Sequence, residues 1–299
     1  MSSQRSHLLL VNPASGGGRA ASLLPEVERE LGERGIRFRT VETRSLEHGV
    51  GEARTAAEGG EIPVVMSGDG LIGQVGGALA GGDTPMGIVP GGRGNDLARV
   101  LEIPAEPAGA AEVLAAGHER EIDVGEVNER RFLCIASCGF DSVANRIANR
   151  ARLVRGNLVY AYAALRALAT WRPARFDVTL DGGPPRRFEG YSVAVANSRA
   201  YGGGMIIAPA AELDDGLYDV VISGTVGKLR FLANLPKVFK GTHVAEPEVT
   251  VLRASRVEVS ADRDFAVYAD GEHLADLPAG LRVLPRALRV IAPPAGASR

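Results

Sequence analysis

The chain has few cysteines and no long apolar run. Its 299 residues include two cysteines, Cys134 and Cys138, a number that fits a reducing, cytosolic compartment. Two sulfurs without further cysteine partners make a poor metal site, so their spacing on an expected strand predicts buried free thiols. The apolar residues from Leu8 to Val11 are too few for a signal peptide, and no segment approaches the length of a membrane span. These absences predict a cytoplasmic protein.

The chain also lacks an excess of charge. Lys and Arg number 34 and Asp and Glu 36, so the overall balance gives no reason to expect nucleic acid as a partner. The five histidines are scattered and show no metal-ligand spacing. A chain of this length can form two domains that each bury a core. The sequence predicts an α/β domain at residues 1–124, to which about 286–299 return, and a second domain at 125–285.

The first half alternates strand and helix patterns. Short apolar runs predict the strands, and apolar positions at helical spacing predict the helices between them. The predicted strands are residues 7–11, 36–41, 62–66 and 86–89, and the clearest predicted helices are residues 46–58 and 71–79. Strict alternation of this kind predicts a doubly wound, mostly parallel sheet.

Glycine-rich turns follow the first, third and fourth of these strands. They lie at residues 12–18, 68–70 and 91–94. Ligands of an open α/β sheet bind beyond the carboxyl ends of its strands, so the three turns should converge on one crevice. A glycine turn that leads into a helix N-terminus favours phosphate. Taken alone, each of these turns is also typical of an ordinary tight turn that binds no ligand.

Two of the turns carry acids. Asp69 and Asp96 should both face the crevice, and a bare carboxylate repels phosphate unless a divalent cation or water lies between them. Asn95 or Asp96 is expected to cap the helix that follows. The first turn lacks the ending of a P-loop and the spacing of a dinucleotide motif. It is either a generic glycine loop or a phosphate or ribose contact made by Asn12 or Ser15.

The second half is dominated by strand patterns. Alternating residues 120–128 are followed by an expected strand at 131–137, and a helical stretch covers about 141–170. Further strands are expected at residues 176–180, 191–196, 218–222, 249–252, 257–260 and 266–269. These patterns predict a mostly antiparallel β domain. The last apolar segment, 287–291, is a candidate to pack on the first domain.

Six short motifs follow one another along the chain. They are Asn12-Pro13 with its glycine loop, Gly68-Asp69-Gly70, Gly94-Asn95-Asp96, Ile122-Asp123-Val124-Gly125, Leu213-Asp214-Asp215-Gly216-Leu217 and Asp270-Gly271-Glu272. In their order, and over nearly its whole length, the chain resembles the soluble bacterial diacylglycerol kinases and the sphingosine kinase-like lipid kinases. The resemblance implies a doubly wound α/β nucleotide domain, an antiparallel β-sandwich lipid domain and an active site in the cleft between them.

The resemblance also implies an activity, its cofactors and its catalytic residues. The protein is expected to use ATP and Mg²⁺ to phosphorylate a hydroxyl of a neutral lipid, with diacylglycerol first and a sphingoid or other lipid next. Asp69, Asp96 and Asp123 match carboxylates that organise the nucleotide-bound Mg²⁺. Glu272 matches the general base, which the preceding Asp-Gly turn positions. By itself, Glu272 is equally typical of a solvated hairpin tip.

Further site residues are implied by the same match. The expected nucleotide-binding residues are Asn12, Ser15, Gly68, Asp69, Gly70, Gly92, Arg93, Gly94, Asn95 and Asp96. Glu212, Asp215 and the backbone carbonyl of Leu217 match a structural Mg²⁺ or Ca²⁺ site, with Asp214 and Asp219 as further candidates. Oxygen ligands from one short loop suit a hard cation. The alternative is a charged surface loop without a metal.

Two departures from the family's pattern concern phosphate binding. The family usually has Thr directly after Gly-Asp-Gly and directly before Gly-Asn-Asp, where this chain has Leu71 and Arg93. We hypothesise that Arg93 compensates by donating hydrogen bonds to phosphate. The alternatives are a catalytically silent lipid-binding or regulatory protein of the same fold and an NAD kinase-like enzyme, whose fold also uses a Gly-Asp-Gly loop.

One helical segment marks the expected lipid side. The apolar residues 158–165 lie among six arginines, which are Arg146, Arg150, Arg152, Arg155, Arg166 and Arg172. Such a segment either lies on an anionic bilayer or packs into the core with its arginines solvated. The expected partners are a neutral lipid and, at the periphery, the inner face of the membrane. A homodimer is compatible with the sequence.

Overall fold

The structure, a computed structural model, describes residues 5–150 and 158–296. Its first part contains strands β1 (His7–Val11), β2 (Phe38–Glu42), β3 (Ile62–Ser67) and β4 (Gly87–Pro90), with helices α1 (Arg19–Glu33), α2 (Leu46–Glu58), α3 (Asp69–Leu79), α4 (Asp96–Val100) and α5 (Pro107–Ala116). The strands form a parallel sheet in the order β2-β1-β3-β4. All residues of β1, β3 and β4 are buried, as expected for parallel strands covered on both faces.

The second part is an antiparallel sheet with three α-helices among the described residues. Its strands are β5 (Glu119–Val127), β6 (Arg130–Phe132), β7 (Ile135–Gly139), β8 (Ala174–Leu180), β9 (Arg186–Ala196), β10 (Ala200–Tyr201), β11 (Met205–Ile206), β12 (Tyr218–Gly224), β13 (Val249–Ala254), β14 (Arg256–Ala261), β15 (Ala266–Ala269), β16 (Glu272–Asp276) and β17 (Ala279–Ile291). Its helices are α6 (Phe140–Arg150), α7 (Leu158–Thr170) and α8 (Lys228–Val238). The sheet runs β16-β15-β7-β9-β8-β14-β17-β5-β6, with β12 between β9 and β13, and β10 pairs separately with β11. The predicted fold class is confirmed.

Strand β9 of the second sheet contributes side chains to the cores of both parts. Val193 and Val195 lie in the aromatic-rich core of the second part. Ala194 and Ala196 lie in the core of the first part, because successive side chains point to opposite faces of a strand. Buried apolar side chains are therefore continuous from the first sheet into the second.

The C-terminal strand also joins the two parts. β17 pairs with β5, and near its end Val290 pairs with Met86, directly before β4. The Met86 N–H donates to the Arg289 carbonyl, and the Ile291 N–H donates to the Met86 carbonyl, both at 2.9 Å. The end of β17 therefore meets the first sheet at its β4 edge through a single bridge.

The single strand expected at 131–137 is two strands. β6 ends at Phe132 and β7 begins at Ile135. Between them, the N–H groups of Leu133 and Cys134 donate to a carboxylate of the β15–β16 turn instead of to a neighbouring strand. A side-chain acceptor from a distant part of the chain thus interrupts an otherwise strand-like run.

Helix bounds differ from the prediction in several places. α3 begins at Asp69, two residues before the predicted start. The sequence does not predict α5, whose alanines and glycine give little apolar periodicity, or α8, which has no buried residue and contains Pro236. The stretch 141–170 holds both α6 and α7. Arg152 and Arg155 lie outside the described residues.

The two cysteines follow the prediction. Cys134 and Cys138 are buried free thiols. Burial raises the pKa of both, that of Cys138 to about 12, so they are inert at neutral pH. In residues 5–150 and 158–296, no helix has both the length and the apolarity that crossing a bilayer requires.

Candidate active site

The three glycine turns of the first part meet at the carboxyl ends of its strands. A Cβ added to Gly92 would lie 2.4 Å from Gly68 Cα, and one added to Gly68 would lie 3.2 Å from Ser15 Oγ. A Cβ on Gly16 would lie 2.7 Å from the Gly91 carbonyl oxygen. The turns are in backbone contact that larger residues would prevent. Their convergence agrees with the expectation from strand order.

Asn95 closes the third of these turns. It adopts a left-handed conformation, with φ of 51°. Its Oδ1 accepts the Gly92 N–H at 2.8 Å, and its Nδ2 donates to the Gly92 carbonyl at 3.1 Å. Asn95 occupies the N-cap position of α4, but its side chain does not cap the helix. The Asn95 side chain, expected to cap the helix, instead fixes the conformation of the glycine turn through its two hydrogen bonds to Gly92.

Asp69 and Asp96 are held side by side at this junction. Asp69 Oδ1 accepts the Asp96 N–H at 2.5 Å, and its Oδ2 accepts the Asn95 N–H at 2.9 Å. Burial, and then the negative charge of Asp96, raise the pKa of Asp69. Asp96 is buried and accepts the N–H groups of Gly203 and Gly204 at 3.0 Å. The carboxylates of Asp69 and Asp96 therefore lie next to each other, and each accepts two backbone N–H groups.

This carboxylate pair fits a phosphate-bound Mg²⁺. Across residues 5–150 and 158–296, no group of three or more His, Cys, Asp or Glu side chains is placed to hold a metal ion by itself. Mg²⁺ typically takes one or two carboxylates and completes its shell with substrate phosphates and water. Asp69 and Asp96 supply that donor set next to turns whose N–H groups suit phosphate.

The β15–β16 turn brings second-domain acids to the same place. Asp270 and Gly271 have φ of 50° and 87°, as in the two-residue hairpin turn that Asp-Gly favours. Glu272 is exposed, and its Oε1 lies 3.8 Å from the position of a Cβ on Gly70, in the first turn of α3. The predicted base and the Gly68-Asp69-Gly70 motif are therefore adjacent.

Asp270 is a site residue whose role sequence reasoning missed. Its carboxylate accepts the N–H groups of Leu133 and Cys134 at 2.6 and 3.0 Å, and its Oδ2 lies 3.3 Å from the position of a Cβ on Gly73. Burial raises its pKa to about 6. The sequence indicates only a turn residue, because its partners are backbone groups more than a hundred positions away.

Asp123 lies in a different environment from the pair. It is fully buried on β5. Its Oδ1 accepts the Arg286 N–H at 2.7 Å, where β17 bulges, and its Oδ2 accepts the Gly216 N–H at 2.7 Å. Burial raises its pKa. The hydrogen bonds of Asp123 thus join it to the 213–217 loop and β17, not to Asp69 and Asp96.

The predicted metal loop is occupied by an ion pair. Asp215 Oδ1 accepts the Leu217 N–H at 2.9 Å, and its Oδ2 pairs with the Arg253 guanidinium. Glu212 is exposed. Asp219 Oδ2 is buried and has no partner among the described residues. Arg253 supplies the positive charge beside Asp215, so these residues fit a cation only if it displaces Arg253, and the metal stays a prediction.

The two residues that stand in place of the family's threonines lie in different environments. Leu71 is buried, and its Cδ1 lies 2.7 Å from the position of a Cβ on Gly49, so this side chain packs against α2. Arg93 is exposed, and its Nη2 lies 3.0 Å from the position of a Cβ on Gly17. The guanidinium therefore lies over the first glycine turn. Asn12 shapes that turn by accepting one of its N–H groups at 3.2 Å.

Comparisons with known proteins agree with this arrangement. Residues 6–127 match the family described as the diacylglycerol kinase catalytic domain, and residues 134–292 match the YegS C-terminal NAD kinase beta sandwich-like domain. A diacylglycerol kinase of Mycobacterium tuberculosis strain H37Rv is 35% identical over 293 residues, covering 95% of this chain and 94% of the relative. One of Bacillus subtilis strain 168 is 28% identical over 294 residues, covering 95% of each.

A solved structure shares the whole fold. The crystal structure of a diacylglycerol kinase from Bacillus anthracis strain Sterne superposes with a TM-score of 0.77 at 21% identity, covering 99% of each chain. The matches place this chain among proteins that join an α/β domain to an antiparallel β domain. The chain belongs to the diacylglycerol kinase family, as its six motifs predict.

Asp270 should make stability depend on pH. Its pKa in the folded protein lies above the ordinary carboxyl value, so its stabilising contribution is present at low pH and is lost as pH rises from about 4 through about 6. Asp270→Asn cannot titrate. A tenfold change in proton affinity is worth about 1.4 kcal/mol. As pH rises from 4.5 to 7.5, the free energy of unfolding of the variant should therefore increase by roughly 2–3 kcal/mol relative to that of wild type.

Urea unfolding at several pH values measures this gain. The exposed carboxylate of Asp264 provides the control, since the profile of Asp264→Asn should run parallel to that of wild type. Parallel profiles for wild type and Asp270→Asn would contradict the assignment.

Proposed function

We propose that this chain is an ATP-dependent kinase that transfers the γ-phosphoryl group to a hydroxyl of a neutral lipid. Diacylglycerol is the first candidate acceptor, and a sphingoid or other lipid is the second. The observation that carries the proposal is the position of Glu272. This second-domain carboxylate lies beside Gly70, where the glycine turns and the Asp69 and Asp96 pair converge.

The chain's own groups suit the binding of a triphosphate. N–H groups of the glycine turns and of the first turn of α3 can donate to phosphate oxygens. Asp69 and Asp96 are prevented from swinging away by the backbone N–H groups that they accept. Asp69 and Asp96 would hold Mg²⁺, which would supply positive charge to offset the negative charge of the phosphates.

Glu272 is proposed to act as the general base. It accepts the hydroxyl proton while the lipid oxygen bonds to the γ-phosphorus, and the bond from that phosphorus to the bridging oxygen breaks to release ADP. Asp270 is a positioning residue, because its two backbone hydrogen bonds fix the turn that presents Glu272. Asp123 was expected to help organise Mg²⁺, and that role stays a prediction; its contacts suit it to holding β17 and the 213–217 loop.

Loss of the base should reduce turnover without preventing nucleotide binding. Glu272→Gln should lower kcat roughly 10²- to 10⁴-fold, the range typical of general base catalysis, with the KM for ATP within about twofold of wild type. The assay follows radiolabelled γ-phosphate into diacylglycerol, sphingosine and NAD. Glu189→Gln, at an exposed glutamate of β9, is the control and should behave as wild type.

The acceptors separate the competing functions. Labelled lipid supports the kinase proposal, labelled NAD would favour an NAD kinase-like enzyme, and no label in any acceptor would favour a silent lipid-binding protein. Full activity in Glu272→Gln would rule out its role as the base.

Arg93 is proposed to contact the phosphates. Its guanidinium lies over Gly17, so it can donate to phosphate from the rim of the first turn. Arg93→Ala should weaken ATP binding about 10- to 150-fold, since a hydrogen bond to a charged group is worth roughly 1.5–3 kcal/mol. Isothermal titration calorimetry measures the dissociation constant, with Arg54→Ala on the exposed side of α2 as control. Unchanged affinity in Arg93→Ala would refute the contact.

Peripheral membrane contact is proposed through the outer face of α7. Tyr162 and Leu165 are 38% and 56% exposed, and Leu229 at the start of the neighbouring α8 is 84% exposed. Arg166 and Lys228 flank them, as expected for a surface that meets anionic lipid. The opposite face of α7 packs into the core through Ala163, Ala167 and Leu168.

Leu165→Glu should therefore reduce co-sedimentation with anionic liposomes several-fold. High salt should have a similar effect on the wild type, because screening weakens surface electrostatics. Binding that responds to neither change would contradict the proposed surface.

A further inference from the structure

The link between β6 and β7 consists of Leu133 and Cys134, and two distant residues hold it. Its two N–H groups donate to the Asp270 carboxylate. Its two carbonyl groups accept from Asn197, the residue directly after β9. Asn197 Nδ2 donates to the Leu133 carbonyl at 2.8 Å, and the Asn197 backbone N–H donates to the Cys134 carbonyl at 2.9 Å. Asp270 and Asn197 therefore satisfy all four backbone polar groups of the link.

Asn197 is fully buried where three segments of the chain meet. Its Nδ2 donates to the Asp123 carbonyl of β5 at 2.9 Å as well as to the Leu133 carbonyl, so both hydrogens of the amide are used. Asn197 Oδ1 has no partner in the part of the chain that the structure describes. The reverse orientation of the amide would place this oxygen against two carbonyl oxygens. This position therefore requires a donor of two hydrogens, which a carboxamide supplies and a carboxylate does not.

The link also packs against α3, the helix whose first turn belongs to the candidate site. A Cβ on Gly76 would lie 2.6 Å from Leu133 Cδ1, and a Cβ on Gly73, one turn earlier, would lie 3.3 Å from Asp270 Oδ2. The link and Asp270 thus contact the same face of α3. Because Asp270 belongs to the turn that presents Glu272, the position of the link sets the position of Glu272 relative to α3. Small displacements of a reacting group are costly in rate.

We propose that Asn197 is a positioning residue for the general base. By holding the carbonyl groups of the link, it keeps the N–H groups of the link directed at Asp270, and Asp270 fixes the turn that presents Glu272. The inference rests on the proposed function for the role of Glu272. Asn197 should therefore affect the transfer of the phosphoryl group and leave the binding of the nucleotide unchanged.

Asn197→Leu removes the amide with little change in volume and tests this role. Its kcat should fall roughly 10- to 100-fold, because Glu272 is no longer held in place. Its KM for ATP, and its dissociation constant for MgADP from calorimetric titration, should stay within twofold of wild type. The matched control is Ser142→Ala, which loses a buried hydrogen bond to the Gly139 carbonyl, 2.9 Å long, at the other end of β7. It should lower the melting temperature and leave kcat within twofold.

A double variant tests whether the effect passes through Glu272. If it does, Asn197→Leu should change kcat less than twofold in a Glu272→Gln background, since the effects of interacting residues are not additive. Asn197→Ser keeps one donor, so it should lose less activity than Asn197→Leu, and it replaces that variant in every measurement if the leucine prevents folding. Wild-type kcat in the Asn197 variants, or effects that multiply in the double variant, would overturn the proposal.

Hydrogen exchange separates this proposal from the proposed kinase activity, because it needs no substrate. With the amides of β1 as the internal reference, the amides of Leu133 and Cys134 should exchange at least tenfold faster in the Asn197 variants than in wild type, since local opening becomes easier. They should exchange at the wild-type rate in Ser142→Ala. Unchanged exchange in the Asn197 variants would refute the hold on the link. A wild-type chain that phosphorylates no acceptor would refute the proposed function, whereas the exchange rates would still decide whether Asn197 holds the link.

Discussion

The structure depends on one kind of hydrogen bonding, in which a single aspartate carboxylate accepts two backbone N–H groups. Asp69, Asp96, Asp123 and Asp270 all do so. The residues they join are 26 to 163 positions apart. An N–H group that leaves a ladder must find another acceptor or remain unpaired at a cost of about 1–3 kcal/mol. An ionised carboxylate is a strong acceptor for two such N–H groups. The backbone is therefore held in one conformation where a strand is interrupted or a turn begins.

This constraint explains why the candidate site forms where strands are interrupted. The gap between β6 and β7 exists because Asp270 takes the two N–H groups there, and the same contact fixes the hairpin that carries Glu272. The bulge in β17 likewise meets Asp123. Acids that hold the backbone in this way cannot reorient freely, so much of the site is arranged before any ligand binds, which lowers the cost of binding.

The parts of the fold that depend on local pattern could be predicted, and those that depend on distant side chains could not. The buried parallel strands have continuous apolar runs, and the convergence of the glycine turns follows from topology alone. The bounds of β1 and α2 were predicted to the residue. Asp270 and the partners of Asp96 were beyond reach, because an aspartate in a turn has the same local sequence whether it faces solvent or a broken strand. Arg253 beside Asp215 was missed for the same reason.

The pairing of Val290 with Met86 has a consequence for biosynthesis. The outer edge of β4 gains this partner only after about two hundred further residues have been made. Until then, a nascent N-terminal sheet presents unpaired backbone groups, which are a template for association with other chains. Contacts of such long sequence separation also slow folding. A truncation before β17 would therefore do more than remove a surface strand, since it would leave the first sheet permanently open at that edge.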